Sequence, residues 1–203
     1  MRSLAEIVQR AFRRWECAPS LASAMRRIFW QMRGAQIGSG TRLPRAEFTW
    51  PHQLKIGKDC ILQPDIFFNF QNYWTPGPSI VVGDRVFIGR GVEFNILARI
   101  EIGDDALIAS GCVFVDHNHG VSAHCLMNEQ ANVVEPISVG RGAWLGANVV
   151  VLKGVKIADG AVVGAGSIVT KCIPEGEIWA GNPAHFIRRR LDDKAGENHQ
   201  TEV

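Results

Sequence analysis

No stretch of this 203-residue chain is apolar for long enough to cross a membrane as a helix, and Arg13–Arg14 interrupt any signal-peptide core. Cysteine is sparse and scattered. Cys17, Cys60, Cys112, Cys125 and Cys172 make no CxxC pair and no dense framework. That excludes a disulfide-built scaffold and fits a reducing cytosol, with cysteines used as small hydrophobes. Net charge is also small, formally +2, which removes any strong electrostatic argument for nucleic acid. The charge that exists is uneven. Seven arginines crowd the first segment, from Arg2 to Arg33, and Arg188, Arg189 and Arg190 crowd the end. The length suits one domain with a sizeable core.

What the chain does have is a six-residue beat. From Val139 it reads VGRGAW, LGANVV, VLKGVK, IADGAV, VGAGSI, VTKCIP. The first places are Val139, Leu145, Val151, Ile157, Val163 and Val169, all aliphatic. The fourth places are Gly142, Asn148, Gly154, Gly160, Gly166 and Cys172; Gly and Asn enter left-handed backbone conformations cheaply. The fifth places, Ala143, Val149, Val155, Ala161, Ser167 and Ile173, are small or aliphatic. A chain that extends briefly, turns every sixth residue and buries a side chain just after the corner is a parallel β-helix. An α-helix needs spacing near 3.6 and does not tolerate this glycine load. Looser hexads begin at Ile37, Ile56, Val82 and Ile102, with a two-residue slip between Ala98 and Ile102 that reads as a bulge or loosened corner.

Three parts follow. Residues 1–34 read as two short amphipathic basic helices. Leu4, Ile7, Val8, Ala11, Phe12 and Trp15 form one stripe, and Leu21, Ala24, Met25, Ile28, Phe29 and Met32 the next. Ser20 caps the second helix and Gly34 ends it. They serve as a cap on the β-helix or as a peripheral membrane-surface contact through residues 1–33, consistent with a cytoplasmic protein at the inner face of the membrane. Residues 35–183 form the β-helix. Excursions near 66–79, rich in aromatics, and 118–138 interrupt it; a loop of the latter length is expected to be functional. Residues 184–203 read as a short basic C-terminal helix, Phe186 to Leu191, and a polar tail.

The interior of such a helix is packed, so chemistry belongs at corners or between subunits. The polar knot Asp116-His117-Asn118-His119-Gly120 opens the longest excursion. Counted from Phe114, His117 falls on a corner and points outward. A histidine titrating near neutrality beside an acceptor hydroxyl is a suitable general base. His119 is the reserve. His117, His119, His124 and Cys125 could also meet at a metal, but such sites need three or four ligands in fixed geometry, and no metal is expected.

These residues resemble the hexapeptide-repeat acyltransferases. The carriers are FVDHNHG at 114–120, EPISVGRGAWLGANVVVLKGV at 135–155, AVVGAGSIVTKCIP at 161–174 and WAGNPAHFIRR at 179–189. The lead-in QMRGAQIGSGTRL resembles the branch that O-acetylates polysaccharide and lipopolysaccharide sugars, with maltose and galactoside acetyltransferases as cousins. The resemblance implies an all-β fold: a single-stranded left-handed parallel β-helix with an N-terminal α-helical segment and a short C-terminal helix. It implies acetyl-CoA as co-substrate, a sugar or glycan as acceptor, and a homotrimer with sites built from two chains. It gives His117 the role of base and the backbone N–H of Ala147 that of oxyanion donor. Ala147, Ala165, Thr170, Lys171 and Arg188 fall at cofactor-binding positions. Glu93, Asn95, Asp116 and Trp144 fall near the acceptor. N-acetylation of an amino sugar or nucleotide-sugar, a non-catalytic scaffold and a γ-carbonic-anhydrase-like protein are the other readings.

Overall fold

The computed structural model describes residues 21–190. The helix expected at Leu4–Trp15, the Ser20 cap and the tail from Asp192 lie outside the described residues.

The chain winds into a prism of coils, each contributing one short strand to each of three faces. The first face holds Gln36–Ile37, Leu54–Ile56, Ile80–Val82, Ile100–Ile102, Ile137–Val139 and Lys156–Ile157, all parallel. The second runs from Ile61–Leu62 through Phe87–Ile88, Leu107–Ile108, Trp144–Leu145 and Val162–Val163 to Glu177–Gly181 and Ala184–Arg189. The third holds Ala46–Phe48, Ile66–Phe70, Glu93–Ile96, Val113–Val115, Val150–Leu152 and Ile168–Val169. A plain coil takes 18 residues, three hexads: Ser138 pairs Lys156, Trp144 pairs Val162 and Val150 pairs Ile168.

The expected hexad roles are met. All six first places and all six fifth places from Val139 onward are buried. Gly142, Asn148, Gly154, Gly160 and Gly166 have φ of 62, 57, 74, 61 and 70°, the left-handed corner these residues adopt with least strain. Inside the third face, Trp30, Phe48, Phe68, Phe94 and Phe114 form a continuous column, with ring centroids 4.5, 5.3, 4.9 and 4.9 Å apart. Each fully buried Phe in that column contributes about 1.5–3 kcal/mol by burial.

The N-terminal helix α1 (Leu21–Met32) lies against the first coil. Ser23 Oγ accepts from Leu43 N–H at 2.8 Å, Gln31 Nε2 donates to the Ile37 carbonyl at 2.7 Å, and Trp30 tops the aromatic column. The apolar stripe read from the sequence is therefore not the packing face: Leu21, Met25, Ile28, Phe29 and Met32 are exposed. Among the described residues no helix is long and apolar enough to cross a membrane.

Two expectations need correction. The short C-terminal helix is a strand, Ala184–Arg189, antiparallel to Glu177–Gly181. The open edge of the second face offers unpaired backbone groups, and His185-Phe186-Ile187 suit a ladder there better than a short isolated helix. The aromatic excursion is also shorter than 66–79. Ile66–Phe70 is a regular strand with Ile66, Phe68 and Phe70 buried in alternation, so the departure begins at Gln71.

Candidate active site

Three of the departures from the 18-residue coil leave at one corner, where the third face turns into the first. Residues 71–79 follow Ile66–Phe70, residues 97–99 follow Glu93–Ile96, and residues 116–136 follow Val113–Val115. The candidate base sits at the root of the last. His117–Asn118 pairs antiparallel with Val133–Val134, so the long excursion leaves as a two-stranded ribbon. The Glu135 N–H donates to the Asp116 carbonyl at 2.9 Å, and Glu135 pairs with Lys153 on the next coil, closing the root. Gln130 ties the tip by bonding to Ser122 and Cys125.

Asp116 is fully buried. Its Oδ1 accepts from the Leu97 N–H and its Oδ2 from the Ala98 N–H, each at 2.8 Å. His117 Nδ1 stands 3.1 Å from Asp116 Oδ1. The two-residue slip noted in the sequence thus has a structural use. It makes a loosened corner whose two free amides hold a carboxylate that would otherwise be stranded in the interior. His117 is nonetheless not open to solvent at its corner. It is buried, because the ribbon folds back over it and Asp116 draws its ring toward the corner. An Nδ1–H donated to Asp116 leaves Nε2 as the nitrogen free to take a proton.

The other predicted positions divide by corner. Asn95 lies beside Val115, on the strand adjoining the Asp116 corner, and Asn69 Nδ2 donates to its Oδ1 at 3.1 Å. Glu93 is exposed two residues earlier on that strand. His119 and His124 are exposed beyond the ribbon, and among the described residues no three His, Cys, Asp or Glu side chains gather as metal ligands. Ala147 and Ala165 stack at a different corner, where the second face turns into the third, with the Gly166 N–H donating to the Ala147 carbonyl at 2.8 Å. Trp144 is exposed just before that corner. Thr170 and Lys171 are exposed after Ile168–Val169, and Arg188 is half-buried opposite Ile178.

The structure therefore does not bring His117 and Ala147 together within one chain. Ala147 precedes the strand Val150–Leu152 by three residues, and His117 follows its in-register neighbour Val113–Val115 by two. That is the length of one face, on the order of 20 Å at strand rise. At the Ala147 corner, side chains are small for a steric reason. A Cβ on Gly146 would come within 2.6 Å of the Ala165 nitrogen. Among the described residues the N–H groups of Ala147 and Ala165 donate no hydrogen bond.

The groups with shifted acidity lie elsewhere. Burial pushes the Cys112 thiol up to about 11 and raises that of Cys60. The bidentate Arg85 guanidinium, at 2.6 and 2.8 Å, holds Asp105 below the usual carboxylate range.

Two family patterns match the repeats: the bacterial transferase hexapeptide (six repeats) over residues 136–171, and the hexapeptide repeat of succinyl-transferase over 79–114. WbbJ of Escherichia coli K12, named for O-acetyl transfer in lipopolysaccharide biosynthesis, is 32% identical over 162 residues, spanning 71% of this chain and 79% of the relative. The chain belongs to the hexapeptide-repeat acyltransferases. The galactoside O-acetyltransferase of the same organism is 34% identical over 154 residues, 72% of this chain and 75% of that one. An N-acyltransferase of Bacillus cereus, solved with dTDP and coenzyme A, superposes with a TM-score of 0.72 over 82% of this chain and 90% of its own, at 18% identity. That likeness concerns the fold.

For this acyltransferase, reading the sequence missed the Leu97 and Ala98 amides and the Glu135–Lys153 pair. The slip at 98–102 was the one signal for the first. The signal for the second was the 18-residue spacing of Glu135 and Lys153, one plain coil, which stacks them on neighbouring turns.

Proposed function

We propose that the protein is an acetyl-CoA-dependent O-acetyltransferase that acts on a sugar hydroxyl in surface polysaccharide or lipopolysaccharide synthesis, with His117 as general base. The buried Asp116–His117 pair at the loop root carries this reading. Asp116, pinned by two backbone amides, orients the ring rather than touching acceptor, and Nε2 faces the reaction. The relatives named for O-acetyl transfer in lipopolysaccharide biosynthesis and to galactosides fit it.

Acetyl-CoA supplies a thioester carbonyl to be attacked. Small residues at the Ala147–Ala165 corner and their undonated amides suit a narrow, polar-edged arm. The Ala147 N–H is placed to donate to a carbonyl oxygen as it gains charge. Thr170, Lys171 and Arg188 are the groups for the nucleotide and its phosphates. The acceptor hydroxyl gives its proton to His117 Nε2 while its oxygen forms the ester bond. The C–S bond breaks, and the departing thiolate regains a proton from His117.

One face-length separates His117 from Ala147, so the reading requires a second copy, and a homotrimer closes the arrangement. The outward residues support it. On the first face Lys55, Glu101 and Lys156 suit water. On the second, Ile61, Phe87, Leu107 and Trp144 stack as an apolar ladder, three of them exposed. The ribbon tip carries exposed Val121, Leu126 and Met127, fit to reach a neighbour.

Calorimetry of acetyl-CoA tests the donor half. Micromolar binding is expected, weakened several-fold by Lys171→Ala; loss of one phosphate contact of this kind removes about 1 kcal/mol. No heat of binding to the folded wild type would remove the donor.

A further inference from the structure

The corner that carries His117 has a second feature. Where it turns between Ala46–Phe48 and Leu54–Ile56, it presents Trp50 and His52, and its next turn, residues 71–79, presents Tyr73 and Trp74. His52 stacks on Trp74 with ring centroids 5.5 Å apart and planes 26° apart, and Trp50 meets His52 edge-on at 5.9 Å. Tyr73 is 91% exposed, Trp74 64% and Trp50 38%. Large aromatic surface in this amount is not left on a loop by core packing.

The cluster is built, not loose. His52 Nε2 bonds to the Thr75 carbonyl at 2.9 Å, and the buried Gln53 donates to the same carbonyl at 2.6 Å. Trp74 is thereby fixed against His52 by the residue that follows it. The loop is also joined to the candidate active corner. Its first residue, Gln71, donates from its N–H to the Ile96 carbonyl at 3.0 Å, and Arg99 Nη1 donates to the Pro78 carbonyl at 3.2 Å. Leu97 and Ala98, between those contacts, are the residues that hold Asp116. Asn69 and Asn95, bonded to each other, line the same edge on the way. The Trp74 turn and the His117 turn are two coils apart, about 10 Å along the axis.

We infer that Trp50, His52, Tyr73 and Trp74 form a carbohydrate subsite, which holds a neutral hexose unit of an extended glycan acceptor some two coils from the reacting hydroxyl. The inference rests on the acetyl-transfer reading above for which hydroxyl reacts, and deepens it by making the acceptor a chain rather than a single sugar. A pyranose ring presents an apolar face that packs on an indole, and its rim of hydroxyls suits Asn72, Asn69 and Asn95. The four side chains bear no carboxylate and no strong base, and the charges beside the loop, Arg99 and Glu101, pair with each other, which suits a neutral ring better than a charged one.

The test is saturation-transfer NMR on the full-length protein without acetyl-CoA, using malto- and galacto-oligosaccharides, with glucose and galactose as short controls. Transfer to one oligosaccharide series is expected, with weak transfer to the single sugars. Trp74→Ala, on an exposed loop, removes that signal. In the coupled acetyl-transfer assay it lowers kcat/KM for the oligosaccharide about tenfold and leaves the single sugar unchanged. Wild type that binds none of these glycans, or binds them equally after Trp74→Ala, overturns the subsite. So does a Trp74→Ala variant that changes oligomeric mass in light scattering while keeping its glycan signal, since the aromatics then serve a subunit contact. Glycan binding lost in Trp74→Ala, by a protein that transfers no acetyl group, upholds the subsite and overturns the catalytic reading instead.

Discussion

His117→Ala lowers kcat for acetyl transfer about 10²–10⁴-fold, the range a positioned general base contributes, and leaves acetyl-CoA affinity nearly unchanged. The reason is geometric. In the proposed arrangement the imidazole meets the acceptor hydroxyl, while the donor is held by Ala147, Ala165, Thr170, Lys171 and Arg188, so losing the ring removes no donor contact. The ring is buried under the ribbon, and alanine there leaves a small cavity. Stability therefore falls modestly, and a thermal melt separates that from the chemical loss. His119→Ala is the control, since His119 is exposed beyond the ribbon. Near-full activity in His117→Ala, with loss in His119→Ala, would exchange the two roles. Near-full activity in both would remove the base from this corner.

Asp116→Ala is expected to damage fold and turnover together. The carboxylate is the acceptor for the Leu97 and Ala98 amides and for His117 Nδ1. Stranding the two amides costs about 1–3 kcal/mol each if water does not reach them. For a domain of this size a loss near 3 kcal/mol lowers Tm by roughly 6–12 °C. Turnover falls as well, since His117 loses the partner that fixes its tautomer and direction. Asp116→Asn separates the two effects. The amide keeps the shape and its oxygen still accepts one backbone N–H, but its NH₂ cannot accept the other, and because it offers a donor as well as an acceptor it no longer fixes the Nδ1–H tautomer. A Tm restored in part, with turnover still down about 100-fold, is the expected pattern. Equal recovery of both would make Asp116 a purely structural residue.

Much of this was readable in the chain. The burial of every first and fifth place, and the left-handed corners at Gly142, Asn148, Gly154, Gly160 and Gly166, follow from residue type and period alone. Other features depend on what the fold puts alongside. Ile66–Phe70 looked irregular because large aromatics hide a two-residue alternation that only the Phe48–Phe68–Phe94 column explains. The basic C-terminal segment became a strand because an open sheet edge was waiting at Glu177–Gly181. The partners of Asp116 are backbone amides, which no sequence letter announces. The distance between His117 and Ala147 emerges only once three faces are counted around the axis. α1 shows the limit in another way: its spacing gave the helix correctly, yet Ser23 and Trp30 face the coils while the apolar stripe faces away.

The central claim is that an oxygen, not a nitrogen, receives the acetyl group. The most direct measurement is product analysis by mass spectrometry after incubating the wild-type protein and acetyl-CoA with a methyl galactoside, a longer galacto-oligosaccharide and an amino-hexoside in competition. The account predicts one added acetyl on the neutral sugars, removed by mild base as an ester is. A base-stable amide formed on the amino-hexoside alone would contradict it.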